Sequence, residues 1–280
     1  MKYIYLMYIF IILFLVTFSY FLIIYYQNPI KNKKIVLITV LVGNYDSYVQ
    51  YSNPKLPYIK DAYVITDSNE VSKDAKKKGW SVIKVKKEAD PRLQSKKYKN
   101  MMNFHPDLKI LNKYDIVIYH DGNMHLHDEK ILSKWIKMTD KYDVIIPLHT
   151  HDGRNPTTID EINTVTKKSK NGCTKKNKVN ILEMFAKHNY KGTEQTCVTH
   201  IQIRTTKKRI KKFAMEWYMY QKNTNCLRDQ VFVDFVLKKN KIKYHYVDTK
   251  FNENERYADK VPFIYRNKSG KGSHMRKKLN

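Results

Sequence analysis

Ile35-Val36-Leu37-Ile38-Thr39-Val40-Leu41-Val42 is a nearly unbroken, largely β-branched apolar run that ends on Gly43. A strand with one wet face alternates apolar and polar residues. A run that is apolar at every position is buried on both faces, as strands are in parallel sheets covered by helices on each side. The pattern recurs outward from this run, and strands are expected over 62–66, 81–85, 115–119, 143–148, 197–204 and 243–247. Helical periodicity lies between several of them, over 130–138, 179–188, 207–220 and 229–238. Strands separated by helices imply an α/β layered fold with a mainly parallel central sheet. In such sheets ligands bind beyond the carboxyl ends of the strands, so those ends are where functional residues are sought.

The remainder of the composition fits a folded domain. The 280 residues are 42% hydrophobic and 13% aromatic, enough to stabilise a core and to exclude a globally disordered chain. The net charge of +27 comes from 53 Lys and Arg against 26 Asp and Glu, but only eight of the bases are Arg and the lysines are scattered. Nucleic-acid binders concentrate such charge in one stripe with aromatics or Arg forks, so nucleic acid is not the expected partner. Cys173, Cys197 and Cys226 form no C-x-x-C, which excludes a zinc knuckle and a dense disulfide framework while allowing one bridge and one free thiol.

Residues 3–26 carry no charge. As a helix they reach about 36 Å, more than the ~30 Å of a bilayer's hydrocarbon core. Tyr3, Tyr5 and Tyr8 flank one end and Tyr20, Tyr25 and Tyr26 the other, where amphipathic rings favour the membrane interface. The run is too long for a usual signal-peptide core and no small-x-small cleavage site precedes Asn28. Residues 1–34 are therefore read as a single-pass anchor with a short basic stem, and 35–280 as one α/β domain. Lys31, Lys33 and Lys34 outweigh Lys2, so the positive-inside rule favours a cytosolic domain; a lumenal one would expose a single sequon, Asn267-Lys268-Ser269. Residues 166–180, rich in Lys, Asn, Ser and Gly, are expected to form a mobile surface loop.

Several segments carry candidate chemistry. Gly43-Asn44-Tyr45-Asp46 closes the first strand, where glycine permits a sharp turn over a ligand and Tyr45 offers a ring to stack on a base. No G-x-G-x-x-G and no P-loop pattern is present. Asp115-Ile116-Val117-Ile118-Tyr119-His120 runs into Asp121-Gly122-Asn123, setting a carboxylate and an amide oxygen at a strand's carboxyl end. Hard oxygens so placed suit Mg²⁺ or Mn²⁺ beside substrate phosphates, and an Asp-Gly turn is the alternative. His149-Thr150-His151-Asp152-Gly153-Arg154 gathers two imidazoles and a guanidinium, fitting a metal pair, a phosphate clamp or a solvated loop; Glu161 follows in a helical segment. Arg228-Asp229-Gln230 opens an apolar helix, so Asp229 is either a helix-terminal cap or an acid/base group for an acceptor hydroxyl.

Taken in order, these segments resemble a glycosyltransferase-like family formerly called domain of unknown function 616, which includes plant proteins linked to mucilage polysaccharide synthesis. The resemblance rests on the Gly43 to Asp46 turn, Thr66-Asp67, Arg92 with Lys96 and Lys97, His120-Asp121-Gly122-Asn123, the His149 to Arg154 loop with Glu161, and Arg228-Asp229-Gln230. It covers residues 35 to about 247. It implies a GT-A-like nucleotide-diphospho-sugar transferase fold in which Asp121 and Asn123 hold Mn²⁺ or Mg²⁺. It also implies Asp67, with the Gly43-Asn44-Tyr45 turn, near the nucleoside and Arg92, Lys96 or Lys97 near the phosphates. Two departures stand out: Asn123 replaces the second acid of a D-x-D, and His151-Asp152-Gly153-Arg154 stands where the family reads His-Pro-x-Arg.

The function expected on this basis is a membrane-anchored glycosyltransferase that takes a nucleotide-sugar donor and a glycan or glycoconjugate acceptor. His245 is a candidate third metal ligand. The alternatives are a membrane-associated hydrolase with a metal on His149, His151 and Asp121, and a non-catalytic basic module on the lipid bilayer surface.

Overall fold

The computed structural model describes residues 2–26, 30, 32–43, 48–49, 51, 54, 56–149, 156–248 and 261–265. The chain divides into two units, Met1–Lys33 and Lys34–Asn280. The first is built on helix α1 (Lys2–Tyr26). Its described side chains, at 7 and 9–20, are all exposed, among them Phe10, Phe14 and Phe18. Among the described residues no helix is long and apolar enough to cross a membrane; the described side chains of α1 are fewer than the ~20 that a span takes.

The second unit is mixed α/β. Its elements run β1 (Ile35–Leu41), β2 (Asp61–Thr66), α2 (Asn69–Lys77), β3 (Ser81–Lys84), α3 (Pro91–Met101), β4 (Ile116–His120), β5 (Met124–Leu126), α4 (Glu129–Lys137) and β6 (Val144–Pro147). They continue with α5 (Thr158–Lys167), α6 (Lys175–Lys187), β7 (Ile201–Thr205), α7 (Lys208–Thr224), α8 (Asp229–Lys239), β8 (Tyr244–Val247) and β9 (Phe263–Tyr265). Seven strands form one sheet in the order β3-β2-β1-β4-β7-β6-β8, and β5 pairs with β9 in a separate two-stranded sheet.

All the strand segments expected from the sequence lie in the large sheet, and its parallel pairs are β1 with β2 and β4, β2 with β3, and β6 with β8. Strand β7 alone runs against its neighbours β4 and β6. That reversal brings the amino end of β7 to the edge where β1, β2, β4, β6 and β8 end. Every residue of β1 is buried, as expected of a strand covered on both faces.

Helix α3 is the element that most affects this edge. Asp90 caps it, accepting from the backbone N–H of Arg92 at 2.9 Å and of Leu93 at 3.0 Å, and Pro91 fills the first turn where no donor is lost. It packs on β1 and α7, burying Gln94 and Tyr98.

Residues 166–180 are not a mobile loop. They hold the end of α5, a short 3₁₀ turn at Lys170–Gly172 and the start of α6, which is capped by Thr174 through a reciprocal box with Asn177. Cys173 is bridged to Cys226 across 53 residues of sequence. The two strands of chain interlock: Leu227 N–H donates to the Asn171 carbonyl at 2.8 Å. Gly172, at φ +75°, lies so close to Asn225 that a Cβ would stand 2.3 Å from its carbonyl oxygen. Polar composition signalled solvent exposure, and most of these side chains are exposed, but helix ends, a covalent staple and backbone pairing to Leu227 replace the expected loop.

Candidate functional site

A cavity of about 230 Å³ opens at the carboxyl end of β4 beside the amino ends of β7 and α8. Three elements supply its charged groups: α3 gives Lys96 and Lys99, the residue after β4 is Asp121, and the start of α8 gives Arg228 and Asp229. Lys96 and Lys99 are three residues apart on one helix face, with Arg92 a turn earlier on the same stripe. The connection into β7 adds Thr199 and His200, and the backbone N–H of Asp121 donates to the His200 carbonyl at 2.9 Å, tying the two strand ends together.

Asp229 is buried and fully engaged. Its Oδ2 accepts from Lys96 Nζ at 2.6 Å, Lys99 Nζ at 3.0 Å and Thr199 Oγ1 at 3.0 Å, and its Oδ1 from Gln221 Nε2 at 2.9 Å. Burial works against its ionisation, but the Lys96 and Lys99 ammonium groups overcome this and hold the carboxyl well below the usual carboxylate range. Its side chain thus faces the cleft and the lysines. The Arg228 position before it makes no side-chain cap either.

Lys99 bridges two acids. Besides Asp229 it reaches Asp121 Oδ1 at 3.3 Å, where Tyr119 OH also donates at 2.7 Å, and its ammonium lies 5.0 Å above the Tyr119 ring. Burial disfavours its charge, yet the two carboxylates more than compensate and its pKa is raised. Lys96 is pushed the other way: burial lowers it, and Asp229 offsets only part of that. For Asp121, burial is outweighed by Lys99 and the Tyr119 hydroxyl, so its carboxyl is lowered.

Arg228 Nε pairs with the buried Glu161 of α5, which fixes the guanidinium at the cleft wall. His200 is pushed down to about 4 by burial, with Asp121 opposing and Lys99 and His149 reinforcing the shift, so it is neutral at pH 7. The backbone N–H of His149, just after β6, donates to the Thr196 carbonyl at 2.9 Å.

Behind the cleft lies a second buried layer. Arg204 of β7 donates from Nη1 to the Asn100 carbonyl at 2.6 Å and bonds to Gln202, with its guanidinium 5.2 Å from the Phe213 ring and 5.0 Å from the Trp217 ring. Asn100 Nδ2 donates to Gln221 Oε1 at 2.5 Å, and Gln221 in turn holds Asp229. Burial brings Arg204 down to about 9.

The sequence-derived residues distribute as follows. Asp121, Lys96, Arg228 and Asp229 meet in the cleft, and Glu161 supports Arg228. Asp67 follows β2, and its two oxygens accept the Gly43 N–H at 3.0 and 3.2 Å. Gly43 has φ +77°, and a Cβ there would lie 2.0 Å from Pro91 Cβ, so this turn locks β1 to the start of α3. Lys97 turns from the cleft to pair with Glu88, which corrects its expected place near phosphates. Arg92 is exposed in the first turn of α3. Asn44, Tyr45, Asp46, His151 and Arg154 lie outside the described residues.

His245 does not join Asp121. It lies on edge strand β8, three strands from β4 and so about 14 Å away by strand spacing, and stacks on Tyr142 at 4.9 Å. Asn123 Oδ1 is buried without a hydrogen-bond partner, but Asn123 is not among the cleft-lining residues. Among the described residues no group of three or more His, Cys, Asp or Glu is placed to hold a metal. A divalent ion on Asp121 Oδ1 would have to displace both the Lys99 ammonium and the Tyr119 hydroxyl, which already occupy that oxygen. The expected Asp121, Asn123 and His245 set therefore does not fit Mn²⁺ or Mg²⁺.

Lys99, Tyr119, Thr199, His200 and Gln221 were not singled out by sequence. For Lys99 the signal was available in its i+3 spacing from Lys96; for Thr199 and His200 it was not, because it depends on β7 running antiparallel.

No family model matches the chain, and no curated protein does. Solved structures do, at low identity. The bifunctional IspDF from Campylobacter jejuni is 15% identical with a TM-score of 0.39; 81% of this chain is covered, and it spans about half (52%) of that one. The 4-diphosphocytidyl-2C-methyl-D-erythritol synthase from Anaerococcus prevotii is 12% identical over 84% of this chain and 94% of that one, with a TM-score of 0.43. The mannosyltransferase Ktr4p from S. cerevisiae is 10% identical over 71% and 64% of the two chains, with a TM-score of 0.40.

Proposed function

We propose that the chain is a membrane-anchored glycosyltransferase of GT-A type, related to the family named above, moving a sugar from a nucleoside-diphosphate sugar to a hydroxyl of a glycan or glycoconjugate. The observation that carries this reading is the pair of α3 ammonium groups, Lys96 and Lys99, set with Arg228 at the carboxyl end of β4. Three cationic side chains converging on a polar cleft at that edge of an α/β sheet suit a diphosphate.

In transfer, the bond from the anomeric carbon to the diphosphate oxygen breaks and its electron pair leaves with the diphosphate. The acceptor oxygen bonds to that carbon and its proton passes to a base. Asp229 is poorly suited to take it, since four donors fill its oxygens and its carboxyl is held low. Its role is to hold Lys96 and Lys99 in position. His200 is the unprotonated imidazole at the cleft, and a bound diphosphate would raise its proton affinity.

The anchor is supported by the uncharged stretch 3–26. The Cys173–Cys226 bridge, with both residues fully buried, favours an oxidising compartment and hence a domain on the lumenal or external side, against the positive-inside count. Expression in microsomes tests this: glycosylation at Asn267 and protection of the domain from added protease are expected, and an unglycosylated, protease-sensitive domain contradicts it.

The activity is tested by incubating the purified full chain with a panel of nucleotide sugars and candidate glycan acceptors. Acceptor-dependent release of nucleoside diphosphate is expected. Release of pyrophosphate from a nucleoside triphosphate would instead identify a nucleotidyltransferase.

A further inference from the structure

We infer that Lys99 stands in for the divalent cation of the site: held between Asp121 and Asp229, it neutralises the diphosphate together with Lys96 and Arg228, and donor binding needs no metal ion. This rests on the proposed diphosphate reading of the cleft and specifies how the phosphate charge is met.

A cation site on Asp121 requires its carboxylate to face the ion with little competition. Here Asp121 Oδ1 already accepts from Lys99 and from Tyr119 OH. Lys99 is not a surface lysine that swings aside: its side chain is 6% exposed, and it is bonded to the second carboxylate at 3.0 Å. The other ligands expected for an ion are not delivered, since His245 lies on edge strand β8 and Asn123 does not line the cleft. What the fold does deliver is a helix face with two ammonium groups one turn apart, and a guanidinium anchored through its Nε on Glu161. Asp229 is then the internal counter-ion that orients both lysines at the cleft. The three cations are matched by three carboxylates, Asp121, Asp229 and Glu161, so an incoming diphosphate binds by sharing the cations' hydrogen-bond donors with these acids.

The test is titration calorimetry of the full chain in detergent with UDP, GDP, ADP and CDP, first in excess EDTA and then in excess Mn²⁺. The inference expects at least one diphosphate to bind in EDTA, with an affinity that Mn²⁺ changes by no more than about two-fold. Lys99→Met is expected to weaken that binding about 10- to 100-fold, while Lys212→Met on the exposed face of α7 leaves it unchanged. Binding that appears only with Mn²⁺, or tightens about ten-fold or more with it and loses that gain in Asp121→Asn, overturns the inference and leaves the diphosphate reading standing. Binding of no diphosphate in either buffer overturns that reading itself, and the inference with it. The wild-type comparison requires no variant to fold. Electron paramagnetic resonance gives a separate readout: the free Mn²⁺ signal is expected to be unchanged by adding protein, and its loss on wild-type chain but not on Asp121→Asn contradicts the inference.

Discussion

Replacing Asp229 by Asn removes one negative charge from a group that receives Lys96, Lys99, Thr199 and Gln221. Lys99 keeps Asp121, but Lys96 loses its carboxylate while remaining mostly covered, at 23% side-chain exposure. Removing one partner of a buried ion pair costs about 3–5 kcal/mol. In a domain of this size 1 kcal/mol moves the melting midpoint by about 2–4 °C, so Asp229→Asn should melt about 6–20 °C lower at pH 7. The acid dependence gives a second handle. The folded carboxyl titrates below its unfolded value of about 3.9, so the unfolded chain binds the extra proton. The stability that Asp229 contributes is therefore complete above about pH 4 and falls as pH drops toward the folded value. Melting curves of wild type and Asp229→Asn, followed by circular dichroism, should differ most near neutrality and converge in acid. A midpoint difference under about 2 °C at pH 7, or one that does not shrink on acidification, would refute the role given to this carboxylate.

Reducing the Cys173–Cys226 bridge, or replacing both residues by Ser, releases a 53-residue separation and is expected to cost about 4 kcal/mol by loop entropy, read as a lower midpoint in denaturant. Because the bridge lies two residues before Arg228, reductant should also weaken diphosphate binding; unchanged binding and midpoint would contradict this. Gly43→Ala places a Cβ against Pro91 in a left-handed backbone position and should destabilise by about 1–3 kcal/mol in urea unfolding. Lys96→Met should weaken diphosphate binding about ten-fold or more, against less than about three-fold for Lys97→Met, whose side chain pairs with Glu88; calorimetry showing equal losses would place both on the phosphates.

Strands β1, β2, β4, β6 and β7 were legible because burial on both faces leaves nearly continuous apolar runs such as 35–42, whereas the edge strands β3 and β8 are only partly buried. The direction of β7 was not legible, since a doubly buried strand has the same composition whichever way it runs. That reversal carries Thr199 and His200 to the cleft. Helix α3 was overlooked for a related reason: its exposed and cleft-facing positions are polar, so its buried side rests on Gln94, Tyr98, Lys99 and Asn100 and not on an apolar stripe. Of the cleft residues named from sequence, Asp121, Arg228 and Asp229 stand next to a strand end or helix start, whereas Lys96, within α3, came only with the family resemblance. Asp229's choice between capping α8 and facing the cleft was decided by two lysines more than a hundred residues earlier in the chain, a long-range fact that local spacing does not encode. His245 was misassigned because its strand lies at the sheet edge, which depends on strand order. The segment 166–180 was misread because a disulfide pairing is not specified by spacing alone.

A crystal structure of the chain with a bound nucleoside diphosphate tests the central claim most directly. The account predicts the diphosphate in the cleft between α3 and the start of α8, with phosphate oxygens within hydrogen-bond reach of Lys96 and Lys99 Nζ and of the Arg228 guanidinium. Density for the diphosphate elsewhere on the molecule, with the two lysines and Arg228 still turned only to Asp121, Asp229 and Glu161, would contradict it.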